Sequence, residues 1–186
     1  ISDSYCFGDK DENCEKYGRL YKLDAMKDTS SLNLKQNVCP VGWHLPSRWE
    51  WDRLIDAVGG TLLAGKRLKK LMGWFGDSAK ADDGVGFSVL PAGIRFSDGG
   101  YSRDGLYSLF WTSDEYGVFF NYYSPRIKMM VELSKLGASV RCIKDLAIGT
   151  LVDHRDGQTY KTVKIGSQNW MAENLGFKSP NSFCYN

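Results

Sequence analysis

Cys39-Pro-Val-Gly-Trp-His-Leu-Pro-Ser47, running on into Arg48-Trp-Glu-Trp-Asp-Arg-Leu-Ile-Asp-Ala-Val58, is the stretch from which the fold is read. Ser47 and Glu50 have the S-x-x-E spacing of a capping box, in which each side chain satisfies an amide at the start of a helix. Trp51, Leu54, Ile55 and Val58 then fall at i, i+3, i+4 and i+7. The spacing predicts a helix over 48–58 with one apolar face, ended by Gly59-Gly60.

Outward from this helix the pattern changes twice. A second short helix is expected over Ala64–Met72, with Leu68, Leu71 and Met72 inward and Lys66, Arg67, Lys69 and Lys70 outward. That basic cluster reads as a solvated face. From Gly84 onward short strands are expected at Val85–Pro91, Phe110–Ser113 and Ser139–Ile143. Between them lie Gly- and Tyr-rich loops, Arg95–Tyr107 and Asp114–Pro125, and loops on a rigid scaffold are where binding residues tend to sit. Upstream, Cys6 and Cys14 flank an acidic loop, Gly8–Glu15, across which a short disulfide fits. Downstream, 145–149 reads as a linker. Next comes a hairpin, Thr150–Asp153 and Thr159–Ile165 around Asp156-Gly157, a strong turn signal. Ser167–Ala172 reads as a third strand with Trp170 as its anchor.

The totals bound the class. The 186 residues hold 42% apolar and 25% charged side chains, a globular balance, and a net charge of +2 leaves no electrostatic footprint for nucleic acid. No apolar run approaches the roughly 20 residues that span a bilayer, so membrane insertion is not expected. The first residue is Ile1, which reads as a processed product or a piece of a longer protein. Five cysteines without a C-x-x-C pair point to disulfides and an oxidising compartment.

Catalysis and metals find little support. His44 sits in the Trp43-His-Leu45 motif as a packed residue, and His154 lies in the tail hairpin, far away in sequence. No G-x-S-x-G is present. Asp9, Asp11 and Glu12 lack EF-hand spacing. Asp82-Asp83-Gly84 and Asp98-Gly99-Gly100 could donate oxygens to Ca²⁺, but they read first as turns. No cofactor is expected, with Ca²⁺ as the one candidate and no metal residues assigned.

The aromatic loops are the candidate site. Arg95, Tyr101, Arg103, Tyr107, Tyr116, Asn121, Tyr122, Tyr123 and Arg126 are rich in the residue types of binding hot spots.

Several stretches resemble a known family, the Fibrobacter succinogenes major paralogous domain. They are Tyr17-Gly-Arg-Leu-Tyr21, Asn37-Val-Cys-Pro-Val-Gly-Trp-His-Leu-Pro46, Gly86-Phe-Ser-Val-Leu-Pro-Ala-Gly93, Phe110-Trp-Thr-Ser113 and Ser139-Val-Arg-Cys142. The tail from Asp156-Gly-Gln-Thr-Tyr160 to Trp170-Met-Ala-Glu-Asn-Leu175 resembles that family's opening. The resemblance implies an α+β, C-type-lectin-like fold with two short helices, small antiparallel sheets and long loops, on the side of the formylglycine-generating enzymes. It implies bacterial secreted or surface proteins, often in tandem copies, whose Tyr-rich loops form a binding face. It also implies a Cys39–Cys142 bridge and a local Cys6–Cys14 bridge.

The order of segments departs from the family. There the hairpin precedes the Cys6-like motif; here it comes after the body. Asn181-Ser-Phe-Cys-Tyr-Asn186 also echoes Asp3-Ser-Tyr-Cys-Phe-Gly8. Residues 1–144 therefore read as the body of a module and 150–186 as a hairpin segment completing the same or the next module. By the echo, Cys184 is the counterpart of Cys6, unpaired or bridged between molecules. A cut tandem array, a circular permutant and a head-to-tail fibre all fit.

The expected function is a secreted or cell-surface bacterial binding or adhesion module without catalysis, its ligand a protein or glycan. The alternative is a subunit of an extracellular fibre or array whose partner is its own copy. A formylglycine-generating-enzyme-like enzyme is third, since Cys142 sits in an apolar strand without a second thiol nearby.

Overall fold

The computed structural model describes residues 4–26, 38–40, 42–76, 80–102, 105–131, 133–145, 148–165 and 168–173. The chain divides into two units, residues 1–143 and 144–186. The first is mixed α+β. Its helices are α1 (Asp11–Tyr17), α2 (Leu23–Met26), α3 (Arg48–Ala57) and α4 (Ala64–Leu68). Its strands are β1 (Ser4–Tyr5), β2 (Leu20–Lys22), β3 (Trp43–His44), β4 (Tyr107–Trp111), β5 (Gly117–Asn121), β6 (Lys128–Met130) and β7 (Gly137–Ser139); β8 (Ile143–Lys144) pairs with β3. The central sheet has the order β1-β2-β7-β4-β5-β6 and is antiparallel except where β7 meets β4.

The capping box at α3 is complete. The Glu50 amide donates to Ser47 Oγ at 3.3 Å, and the Ser47 amide donates to Glu50 Oε2 at 2.8 Å. The other Glu50 oxygen is 2.8 Å from His44 Nε2, so His44 braces the helix start. Burial pushes the Glu50 carboxyl up, but the Ser47 amide, His44 and the Ser47 hydroxyl outweigh it and hold it below its ordinary range.

β4 and β5 are apolar on nearly every residue because both of their faces are covered. On one side Phe110, Val118 and Phe120 pack against Trp51, Ile55, Leu68, Trp74 and Val89. On the other, Leu109 and Trp111 pack with Leu23, Ile94, Leu133 and Ala138. Trp111 is fully buried, and its indole N–H donates to the Tyr21 carbonyl at 2.7 Å. Cys6 is joined to Cys14, and Cys39 to Cys142. Cys184 and Arg103 lie outside the described residues.

Five expectations are corrected. The described residues hold four helices rather than two. The acidic stretch read as a loop is α1, with Asp11 and Glu12 in its first turn and Lys16 in its last, charges that complement the helix dipole. The second helix ends at Leu68, so the 3.6-residue period no longer governs the residues after it. Extended backbone and a parallel bridge between Lys69 and Val89 turn Lys69 inward and leave Leu71 and Met72 exposed. Val85–Pro91 carries a single bridge, at Val89, instead of a strand, and within the loop read over Asp114–Pro125 lies β5.

The second unit is a three-stranded antiparallel sheet, β9 (Ile148–Val152), β10 (Thr159–Ile165) and β11 (Gln168–Met171), in the order β11-β10-β9. Its β9–β10 turn holds Gly157 at φ +76, with the Asp153 carboxylate accepting from the Arg155 amide and guanidinium. Trp170 is 54% exposed.

Candidate functional site

The β4–β5 register, Tyr107 opposite Asn121 through Trp111 opposite Gly117, decides where the candidate residues go. Each strand is five residues long, so the two ends of the hairpin are about 14 Å apart at 3.4 Å per residue. Tyr116 sits at the turn end. There the Arg48 guanidinium lies 4.8 Å from its ring, and Asp114 Oδ1 accepts from the Arg48 amide at 2.9 Å. Tyr122, Tyr123 and Arg126 leave from the other end. Tyr107 is half-buried against Phe119, with ring centroids 5.4 Å apart. Asn121 is buried within β5. The candidate residues therefore do not share one face.

Arg95 and Tyr101 form a separate group. The Arg95 guanidinium stacks 3.9 Å from the Tyr5 ring centroid and 5.8 Å from that of Tyr101. The Tyr101 hydroxyl donates to Asp9 Oδ1 at 2.7 Å, and Phe7 meets the Tyr101 ring edge-on. Burial, followed by the Asp9 carboxylate, pushes the Tyr101 hydroxyl up. Gly93, at φ +80, allows this packing, because a Cβ there would lie 2.3 Å from the Phe7 ring.

Around the turn after β5, exposed aromatic rings pack against one another. Phe75 meets Tyr122 edge-on at 5.7 Å, and Tyr122 meets Tyr123 edge-on at 5.3 Å. Phe75 is 59% exposed and Tyr123 57%. Edge-to-face pairs of this kind hold rings in fixed orientation. The exposed Arg126 lies further along the same turn.

This turn is held from beneath. Lys69, 1% exposed, donates from Nζ to the Asn121 carbonyl at 3.0 Å and to the Ser124 carbonyl at 3.1 Å. Its ammonium lies 5.1 Å from the Trp74 ring centroid. Burial, with Lys80 adding repulsion, lowers the Lys69 amine to about 8. The Lys66 amide donates to the Pro125 carbonyl and the Ile127 amide to the Thr61 carbonyl. Phe75 is placed by its own amide, which donates to the Gly105 carbonyl at 2.9 Å.

The acidic turns close on themselves. Asp82 Oδ1 accepts from the Gly84 amide, Asp98 Oδ1 accepts from the Gly100 amide, and Asp83 accepts from the Ser88 amide and hydroxyl. Among the described residues no group of three or more His, Cys, Asp or Glu side chains is placed to hold a metal.

The bridged Cys39–Cys142 pair, the Trp43–His44 strand and the capping box at α3 lie within one framework, and the family model of the Fibrobacter succinogenes major domain matches residues 2–144 around it. The chain belongs to this family. The Fibrobacter succinogenes major domain here takes in the whole β1–β8 framework and both disulfides, and the match stops short of β9. No curated protein and no solved structure gives a significant match. Among the described residues, no helix is long and apolar enough to cross a membrane.

Sequence reasoning missed Phe75, Leu71, Met72 and the role of Lys69. Gly73 and Gly76 flank Trp74-Phe75, and both adopt positive φ. That pair of glycines was the available signal for a turn able to display an aromatic side chain.

Proposed function

We propose that this domain is a secreted or cell-surface binding module of C-type-lectin-like architecture, acting without a catalytic step, and that its ligand is a protein or glycan. The contact face is the Phe75–Tyr122–Tyr123 ladder with Arg126. The observation that carries this reading is the exposure of two packed aromatics, Tyr123 on a turn fixed by the buried Lys69 and Phe75 on a neighbouring segment held to the Gly105 carbonyl. Rigid exposed aromatics contribute large contact area at low entropic cost. The two disulfides support an oxidising, extracellular setting. The test is an array of extracellular-matrix proteins and glycans probed with the wild-type chain and with a Phe75→Ala/Tyr123→Ala variant. Ligands retained by the wild type and lost by an equally stable variant support the reading. Ligands bound equally by both refute it.

A second reading rests on the other unit. Val163 pairs with Trp170, and Thr159 with Val152, so Val152, Val163 and Trp170 share one sheet face. Trp170 and Val152 are exposed on it. In this reading residues 148–171 complete a neighbouring copy's body by strand addition. Such a contact is heterologous and propagates into a fibre or array, in which the family order is restored between molecules. Light scattering separates the two: a concentration-independent monomer supports the first, and growing polymers lost on Trp170→Asp support the second.

A further inference from the structure

A cavity of about 280 Å³ opens between β2, β7 and the chain around Val38, away from the aromatic ladder. Its walls include Tyr17, Tyr21, Leu90 and Phe110. Two polar side chains in its lining are left with hydrogen-bonding capacity. Ser139, at the end of β7, is 5% exposed, and its Oγ has no partner among the described residues. Buried hydroxyls of this kind are rare because each forgoes the hydrogen bond it had in water.

Arg141 is the second, two residues further on. Its guanidinium lies 4.2 Å from the Phe87 ring centroid and donates to the Phe87 carbonyl. Among the described residues that carbonyl is its one hydrogen-bond acceptor, and it forms no ion pair. The carboxylate whose charge acts on it, Asp83, is committed to the Ser88 amide and hydroxyl. Arg19 also lines the cavity, but its guanidinium is committed to Ser4 Oγ and the Ser4 carbonyl. A half-buried guanidinium with four unused donors is strongly disposed toward a planar anion that accepts two parallel bonds.

We propose that this cavity binds a small organic carboxylate with a compact apolar or ring-shaped body. The carboxylate lies against the Arg141 guanidinium and the body against Tyr17, Tyr21 and Phe110, with an oxygen in reach of Ser139 Oγ. The volume is at the small end of ligand sites, roughly 300–1,000 Å³, and so selects a ligand of amino-acid or monosaccharide size.

The test is calorimetric and saturation-transfer titration of the full chain with phenylacetate, glucuronate, the neutral 2-phenylethanol and inorganic phosphate. Saturable binding of either carboxylate, absent with 2-phenylethanol, is the expected result. Preference for glucuronate identifies an acidic sugar as the source, and preference for phenylacetate an amino-acid-like carboxylate. Ser139→Ala, which removes a hydroxyl that has no partner among the described residues and so leaves folding intact, is expected to weaken the preferred carboxylate about tenfold. Arg141→Gln is expected to abolish binding. Failure of both carboxylates to saturate, equal binding by wild type and Ser139→Ala, or binding of phosphate alone would overturn the proposal.

Discussion

Replacing Lys69 by Met removes an amine that is 1% exposed and bonded to two carbonyls, and its signature is a change in pH dependence. Burial lowers the amine from 10.5 to about 8 in the folded chain. At about 1.36 kcal/mol per unit, the folded state carries roughly 3 kcal/mol of penalty for the charged form below pH 8. The sign comes from proton counting. Between the folded and unfolded values the unfolded chain binds a proton that the native state has released, so stability rises with pH. The rise begins near pH 8 and is complete near 10.5, which gives about 2 kcal/mol between pH 7 and 9.5. Lys69→Met lacks this rise. At pH 7 the variant also leaves the Asn121 and Ser124 carbonyls unpaired, at about 1–3 kcal/mol each, an effect that offsets relief of the charge. The slope is therefore more informative than the midpoint. Urea denaturation of both proteins at pH 7.0, 8.0, 9.0 and 9.5 gives the difference directly, and tyrosine titration common to both cancels. A wild-type-minus-variant difference that stays flat or falls across this range would refute the account of Lys69.

Further predictions concern the scaffold. Cys142→Ser opens a bridge that closes 103 residues of sequence, with an expected loss of about 4–5 kcal/mol; urea denaturation without reductant reads it, and with reductant, which also opens Cys6–Cys14 in both proteins, the two should match. Gly65→Ala places a Cβ 2.6 Å from the Pro125 carbonyl oxygen, so about 1–3 kcal/mol of destabilisation is expected, with changed near-ultraviolet dichroism from the Tyr122–Tyr123 turn. Trp111→Phe removes the bond to the Tyr21 carbonyl and leaves a void between β4 and the α2 side, at an expected cost of about 2–4 kcal/mol in thermal unfolding.

Legibility in the sequence tracks the range of the forces involved. The start of α3 was legible because a capping box and an i, i+3, i+4, i+7 face are local: Ser47, Glu50, Trp51 and Ile55 act within three turns. The β9–β10 hairpin was legible for the same reason, through Asp156-Gly157. Lys69 was misread because its burial depends on partners 52 and 55 residues away, which no local period reveals. Phe119 to Asn121 read as loop because a strand covered on both faces loses the polar alternation that marks a strand. The candidate residues were chosen by type, and type does not report which end of a hairpin a side chain leaves from. That is why Tyr116 is separated from Tyr122, while Phe75 joins Tyr122 from a distant loop.

Hydroxyl-radical footprinting of the native chain, with and without a ligand recovered from the array, addresses the aromatic face at single-residue level. Phe75 and Tyr123 should oxidise quickly when free and become protected when the ligand is bound, while Trp111 and Phe120 stay protected throughout. Protection appearing only at Arg95, Tyr101 or Tyr116, with Phe75 and Tyr123 unchanged, would contradict the assignment of the binding face.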